Sequence, residues 1–184
     1  KLSDKVCEGA ALALLKGGGM ARVRAMDLIV LTAKSKIDLD PGAPSGCNAT
    51  LDVERACIRF RLLGSLATIY EYLAHELGHY ALDGTGSSDH SEGDATRTGL
   101  AIWMPEHAVN AAINAVGLDP AAIAAWFPYV PAPLVWLRVA WVADRAMIAH
   151  VGRRRLAWAP SGIIVPEFGR WEQEREHIAR RQGS

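Results

Sequence analysis

The feature that most constrains this chain is the pentapeptide H-E-L-G-H at residues 75–79, which matches the pattern H-E-x-x-H. Histidines four residues apart lie on one face of an α-helix, so His75 and His79 can bind the same metal ion. Glu76 would then lie beside the metal without binding it, where a carboxylate can act as general base on a bound water. The motif therefore requires a helix and predicts a metal site.

The residues around the motif also favour a helix. Apolar and aromatic side chains recur at spacings of three and four residues, at positions 66, 70, 73, 77 and 81. This spacing is typical of a helix that packs one stripe on a core. The alternative is two surface histidines on an amphipathic helix, which does not account for the glutamate between them. His75 and His79 fall roughly opposite the stripe, so we expect them to face a cleft.

A catalytic zinc usually has three protein ligands, and the motif supplies only two. Asp83 is too distant on a straight helix, since it lies about 12 Å along the axis from His75. The metzincin pattern also fails, because Leu82 and Thr85 occupy the positions of its glycine and third histidine. The third ligand must come from the segment that follows, where the candidates are Asp89, His90, Glu92 and Asp94.

That segment begins with a polar, glycine-containing loop at residues 84–91 and continues as a second helical pattern from about Glu92 to Met104. A ligand on a rigid helix is better held than one on a loop, which favours Glu92 or Asp94. Acidic residues are also common at helix N-termini, where they stabilise the helix dipole. Both interpretations of the acidic cluster stay open on spacing alone.

Three stretches of this region match a known pattern: A-H-E-L-G-H-Y-A-L at residues 74–82, Glu92-x-x-Ala95, and W-M-P at residues 103–105. With these motifs the chain resembles the ImmA/IrrE family of zinc metallopeptidases. A weaker similarity continues at residues 130–138, so the resemblance covers about half of the chain. The sequence departs from the family pattern at Thr96, where Asn or Asp is usual.

The resemblance implies a ligand set and a substrate class. By its distance from Pro105 it selects Glu92 as the third zinc ligand, with Asp94 as the alternative. It implies a zinc-dependent endopeptidase in which Glu76 is the catalytic base. It further implies a protein substrate, such as a DNA-binding transcriptional repressor.

Two questions stay open at this point. The first is whether the protein cleaves its partner or is a zinc-stabilised binding module, of an anti-repressor or toxin-like kind, that only docks it. Such a module would need the histidines but not Glu76, so the presence of Glu76 favours the enzyme. The second is which side chain stabilises the oxyanion, for which the candidates are Tyr72, Tyr80, His107 and Arg138.

The rest of the chain predicts a mostly helical α+β fold, a single domain over residues 1–184 with a small sheet beside the motif helix. The further expected elements are helices at 3–16, 105–116, from 119 and at 134–150, strands at 26–32 and 56–62, a loop at 38–48, a hairpin at 156–165 and a charged helix at 172–181. Strand 56–62 is expected to form an edge of the cleft, where an extended peptide can add as a further strand. Arg59 and Arg61 equally fit solvated charges that discourage aggregation.

Composition limits the partners and the location. The 184 residues carry 20 basic and 20 acidic side chains, so no net charge attracts the chain to nucleic acid, and no direct contact with nucleic acid is expected. No segment has the run of about 18 apolar residues that a membrane span needs. The three cysteines, Cys7, Cys47 and Cys57, form neither a disulfide framework nor a C-x-x-C pair. We therefore expect a cytoplasmic protein.

Overall fold

The computed structural model describes residues 2–19, 28–62, 65–86 and 89–144, and the backbone of three strands between residues 147 and 164. The helices in these parts of the chain are α1 (Asp4–Gly17), α2 (Leu28–Lys34), α3 (Leu66–Gly84), α4 (Glu92–Trp103), α5 (Glu106–Val116), α6 (Pro120–Trp126) and α7 (Ala132–Ala143). The strands are β1 (Asp38–Asp40), β2 (Ala49–Asp52), β3 (Cys57–Phe60), β4 (Met147–Val151), β5 (Arg154–Ala159) and β6 (Gly162–Ile164). The predicted fold class, mostly helical α+β, is confirmed.

Helix α3 carries the H-E-x-x-H motif, as predicted. It begins after Ser65, whose hydroxyl oxygen accepts a hydrogen bond from the backbone N–H of Thr68. Such a cap satisfies one of the N–H groups that the first turn leaves unpaired. The expected stripe at residues 70, 73, 77 and 81 is buried, whereas Leu66 in the first turn is exposed.

Helices α3 and α4 pack with their backbones in direct contact. A Cβ atom on Gly78 would lie 2.0 Å from the carbonyl oxygen of Ala95, and one on Gly99 would lie 2.2 Å from that of Ala74. The pairing of 78 with 95 and of 74 with 99 shows that the helices run antiparallel. We call these four residues the glycine crossing.

The first sheet lies beside α3 and has the strand order β1-β3-β2. β3 is parallel to β1 and antiparallel to β2, with Ile58 opposite both Leu39 and Leu51. The predicted alternation in β3 is confirmed, since Ile58 and Phe60 are buried. Its predicted position is wrong: β3 is the central strand, and among the described residues β2 forms the edge that lines the cleft of the motif helix.

One hydrophobic core connects all seven of these helices and includes two residues of β3. Its centre holds fully buried side chains of α3, α4 and α7, among them Leu77, Ile102 and Val139. Arg138 of α7 is also buried, and its Nε donates a hydrogen bond to the carbonyl oxygen of Met104 at 2.9 Å. Its guanidinium pairs with the Glu8 carboxylate of α1, with Nη2 3.0 Å from Oε2.

Three predicted elements are wrong in part. Of residues 26–32, expected as a strand, those from Leu28 onward form helix α2, whose Leu31 is buried in the core. Part of the expected loop at 38–48 is strand β1, which pairs with β3. The expected helix at 134–150 ends at Ala143, because Asp144 adopts a left-handed conformation with φ 49°, and residues from Met147 form β4.

Other predictions hold. The helices expected at 3–16, 92–104 and 105–116 and the short helix after Asp119 are present, and the closing hairpin is formed by β5 and β6. The helix expected at 172–181 lies outside the described residues. In the part of the chain that the structure describes, no helix is both long and apolar enough to cross a lipid bilayer.

Candidate metal centre

The C-terminal half of α3 and the first turn of α4 bring three potential ligands together. His75 and His79 lie one turn apart on α3, and Glu92 is the first residue of α4. The Nε2 atoms of the two histidines are 3.2 Å apart, and Oε2 of Glu92 lies 2.9 Å from Nε2 of His75 and 3.5 Å from that of His79. We call these three residues the metal cluster. Its three donor atoms form one compact triangle.

The size of this triangle fits a zinc ion. Zinc bonds to histidine nitrogen and carboxylate oxygen are about 2.0–2.2 Å long, which in a tetrahedral site puts neighbouring donor atoms about 3.3 Å apart. The three observed separations bracket that value. The side chain of Glu92 is 82% exposed, so the metal cluster is open to solvent on that side. Three protein donors with an open position are typical of a catalytic metal site.

Thr96 holds His75 in the form that can bind a metal. Its hydroxyl lies 3.0 Å from Nδ1 of His75 and donates its own hydrogen to the carbonyl oxygen of Glu92. With the hydroxyl hydrogen on that carbonyl, the hydroxyl oxygen accepts from Nδ1–H of His75. Nε2 then presents its lone pair to the metal cluster, as a ligand must.

His79 has an imidazole as its partner. Its Nδ1 lies 2.7 Å from Nε2 of His90, and Nδ1 of His90 lies 3.7 Å from Oδ1 of Asp83. The side chain of His90 is only 6% exposed. His90 was one of the candidates for the third ligand, but here it contacts the ring nitrogen of His79 that points away from the cluster.

The protonation states suit metal binding. Burial, followed by repulsion from His75, lowers the pKa of His79 below its usual value, which keeps the ring neutral. The close contact with His75 is the largest cause that lowers the pKa of Glu92, which keeps the carboxyl group ionised. A neutral imidazole and an ionised carboxylate are the forms that bind metals.

Glu76 lies in the same cleft as the metal cluster. This cleft has a volume of about 450 Å³ and is also lined by the edge strand β2 and by Asp83 and His90. Glu76 is 8% exposed. Burial raises the pKa of Glu76, and the charge of Glu92 acts in the same direction, against the opposite effects of His75 and of a hydrogen bond to the backbone of Leu51. A carboxylate with a raised pKa is a stronger base.

The other two candidates for the third ligand are not part of the cluster. Asp89 is exposed in the loop. Asp94 is buried and accepts hydrogen bonds from the backbone N–H of Leu2 at 3.0 Å and from the hydroxyl of Ser91 at 2.7 Å. Asp94 forms a capping box with Ser91 at the start of α4, so its role is structural.

None of the four candidates for oxyanion stabilisation is among the described residues that line the cleft. Arg138 is engaged with Glu8 and Met104 in the core. His107 is exposed on α5, and Tyr80 packs against the core. Tyr72 lines a neighbouring cavity of about 270 Å³ that His75 and Thr96 also line.

Two contributors to the site were not assigned from the sequence. Thr96 lies one turn after Glu92, so spacing places it on the same face of α4, and this signal could have identified it as a partner of the cluster. The partnership of His90 with His79 has no such signal, because His90 lies in the loop that precedes α4.

Comparison with models of known protein families found no match, and comparison with curated proteins found no relative.

Proposed function

We propose that this protein is a zinc-dependent endopeptidase. The observation that carries the proposal is the combination of three correctly spaced donor atoms with a buried glutamate in the same cleft. Two histidines and one carboxylate with an open fourth position form a ligand set used by zinc hydrolases. His75, His79 and Glu92 would hold the ion.

The reaction would use Glu76 as its proton carrier. Zinc, when bound, supplies a Lewis acid that polarises the scissile carbonyl and lowers the pKa of water to about 7. A carboxylate oxygen of Glu76 would accept a proton from the attacking water and later give it to the nitrogen of the leaving amine. The raised pKa of Glu76 favours the first transfer, because it makes the carboxylate a stronger base.

The substrate would be a protein segment in extended form. β2 is the edge strand beside the cleft, and its residues Ala49, Thr50 and Leu51 line it. The unpaired backbone groups of an edge strand can bind an extended peptide by strand addition. A peptide bound there would pass over Glu76 and the metal cluster.

The resemblance to the ImmA/IrrE family extends the proposal to the biological substrate. We propose that the protein belongs with that family, acts in the cytoplasm and cuts a transcriptional repressor or a similar regulatory protein. The supporting residues are the three matching stretches within residues 74–105. This step rests on analogy of sequence pattern, whereas the chemistry rests on the geometry of the cleft.

The test compares the wild type with Glu76→Gln, using repressors encoded near the gene as substrates and mass spectrometry of the products. We expect Glu76→Gln to fold and bind zinc but to cleave about 10²–10⁴-fold more slowly, since the amide cannot accept the proton. Glu106→Gln, which changes an exposed glutamate of α5, is the matched control and should cleave normally. If the zinc-loaded wild type binds a repressor as tightly as Glu76→Gln and cleaves none, the protein is the binding module instead.

A further inference from the structure

We infer that His90 is a positioning residue for the metal centre and that Asp83 selects the tautomer of His90. Together they would hold His79 in the tautomer whose Nε2 can bind the metal. This inference rests on the metal site of the proposed function, and it assigns a role to two residues outside the ligand set.

The two ligand histidines have partners of different chemistry. Thr96, the partner of His75, has a second acceptor for its hydroxyl hydrogen in the carbonyl oxygen of Glu92, so its oxygen is free to accept from His75. The partner of His79 is an imidazole, whose Nε2 atom in the neutral form can donate or accept, depending on the tautomer. The short contact between His79 and His90 is therefore compatible with two opposite proton arrangements.

Only one of these arrangements leaves His79 able to bind a metal. In the first, Nδ1–H of His79 donates to Nε2 of His90, and the free lone pair of His79 lies on Nε2, within the metal cluster. In the second, Nε2–H of His90 donates to Nδ1 of His79, and the proton of His79 then occupies Nε2 and blocks the metal. Some further group must favour the first arrangement.

Asp83 is that group. Its carboxylate oxygen lies 3.7 Å from Nδ1 of His90, which is close enough for charge attraction although longer than a hydrogen bond. A carboxylate favours a proton on the nearest ring nitrogen, so it favours the His90 tautomer with Nδ1–H and an accepting Nε2. Because the side chain of His90 is almost fully buried, this attraction is weakly screened by water.

The measurement is the dissociation constant of Zn²⁺, obtained by competition with a chromophoric chelator, together with the visible absorption of the Co²⁺-loaded protein. His90→Phe keeps the ring but removes the acceptor, and we expect it to weaken zinc binding by about 10–100-fold. His90→Gln restores an acceptor oxygen and should recover most of the affinity. Asp83→Ala should weaken binding less than His90→Phe does.

The matched control is His107→Phe, which makes the same change at an exposed histidine of α5 and should leave zinc affinity unchanged. Thermal unfolding of the metal-free variants separates loss of ligand orientation from loss of fold. The inference is wrong if His90→Phe binds zinc like the wild type, or if His90→Gln is as weak as His90→Phe. A Co²⁺ spectrum that changes coordination number in His90→Gln would make His90 a ligand and would also overturn it. Wild-type protein that binds no zinc would instead overturn the proposed function, and this inference with it.

Discussion

Helices α3 and α4 contain both the glycine crossing and the metal cluster, and these two regions depend on different physical interactions. At the crossing, Gly78 and Gly99 place backbone against backbone, with no space for one additional carbon atom. At the cluster, Glu92 extends into solvent with its side chain 82% exposed, and contacts are made only by the tips of side chains. The crossing depends on volume, whereas the cluster depends on charge and on lone pairs.

The difference shows how such a site can be precise without being buried. The close approach of the two backbones fixes the separation of α3 and α4, and Glu92 and Thr96 of α4 then fall within hydrogen-bonding distance of His75. A site held by rigid elements needs few supporting contacts of its own. Substitutions at the crossing should therefore lower the stability of the fold and also disturb the cluster. Substitutions at the cluster should change metal binding and leave the crossing intact.

The largest effect is expected from Gly78→Ala. The new methyl group would overlap the carbonyl oxygen of Ala95, and since that oxygen belongs to the backbone, no rotamer change can relieve the overlap. We expect the free energy of unfolding to fall by about 3 kcal/mol, the upper end of the usual cost of overpacking, and zinc binding to be lost with the helix spacing. Chemical denaturation and a zinc titration of the same samples would measure both.

The control for this substitution is Gly84→Ala in the last turn of the same helix. A Cβ atom there meets nothing within 4 Å, so this variant should be unchanged or slightly more stable. If Gly78→Ala also retains wild-type stability and zinc, the helices can separate without cost and the crossing does not set the geometry of the cluster.

An intermediate effect is expected from a pair of variants at the start of α4. Glu92→Ala removes a donor atom from the cluster, and we expect it to lose stoichiometric zinc while the metal-free protein keeps its stability within about 0.5 kcal/mol. Asp94→Ala removes the capping box and should cost about 1–2 kcal/mol but leave zinc bound. Metal analysis and thermal unfolding should thus give opposite rankings; equal zinc loss in both variants would contradict the assignment of Glu92.

The smallest effect is expected from pH. Protons compete with zinc for the lone pair of His79, and burial together with repulsion from His75 lowers the pKa of this ring below the usual value of 6.5. A lowered pKa means that the neutral, metal-binding form persists to a lower pH than in an exposed histidine. We expect zinc affinity, measured with a chelator, to stay level from pH 8 to about 6.5 and to fall below that. Affinity that stays level down to pH 5 would contradict this account.

The parts of the fold that could be predicted from the sequence are those with a strong local signal. The apolar residues of α3, such as Leu73 and Leu77, recur at the spacing of a helix. The loop before Glu92 is indicated by its glycine and serine residues. The position of His75 and His79 on one face of α3 follows from helical geometry alone. The choice of Glu92 over Asp94 required the resemblance to a known family, because both residues lie in the first turn of α4.

The rest depends on contacts between distant segments. Residues 28–31 are aliphatic and suit either a strand or a buried helix, and the packing of Leu28 and Leu31 in the core favours the helix. Residues 38–40 form strand β1 because they pair with β3, which comes later in the chain. Likewise, the sequence marks Gly78 only as a poor helix former, and its role becomes clear from its contact with α4. The direction of the hydrogen bond between His79 and His90 depends on Asp83.

The contact between Glu8 and Arg138 has a consequence for synthesis of the chain. The two residues are 130 positions apart, and the buried guanidinium of Arg138 has Glu8 as its carboxylate partner. Ribosomes add about 5–20 residues per second, so on the order of ten seconds separate the emergence of α1 from that of α7. During that interval Glu8 has no guanidinium beside it, although α1 can already pack against α3 and α4. The ion pair between Glu8 and Arg138 can therefore form only late in translation, when α7 has left the ribosome.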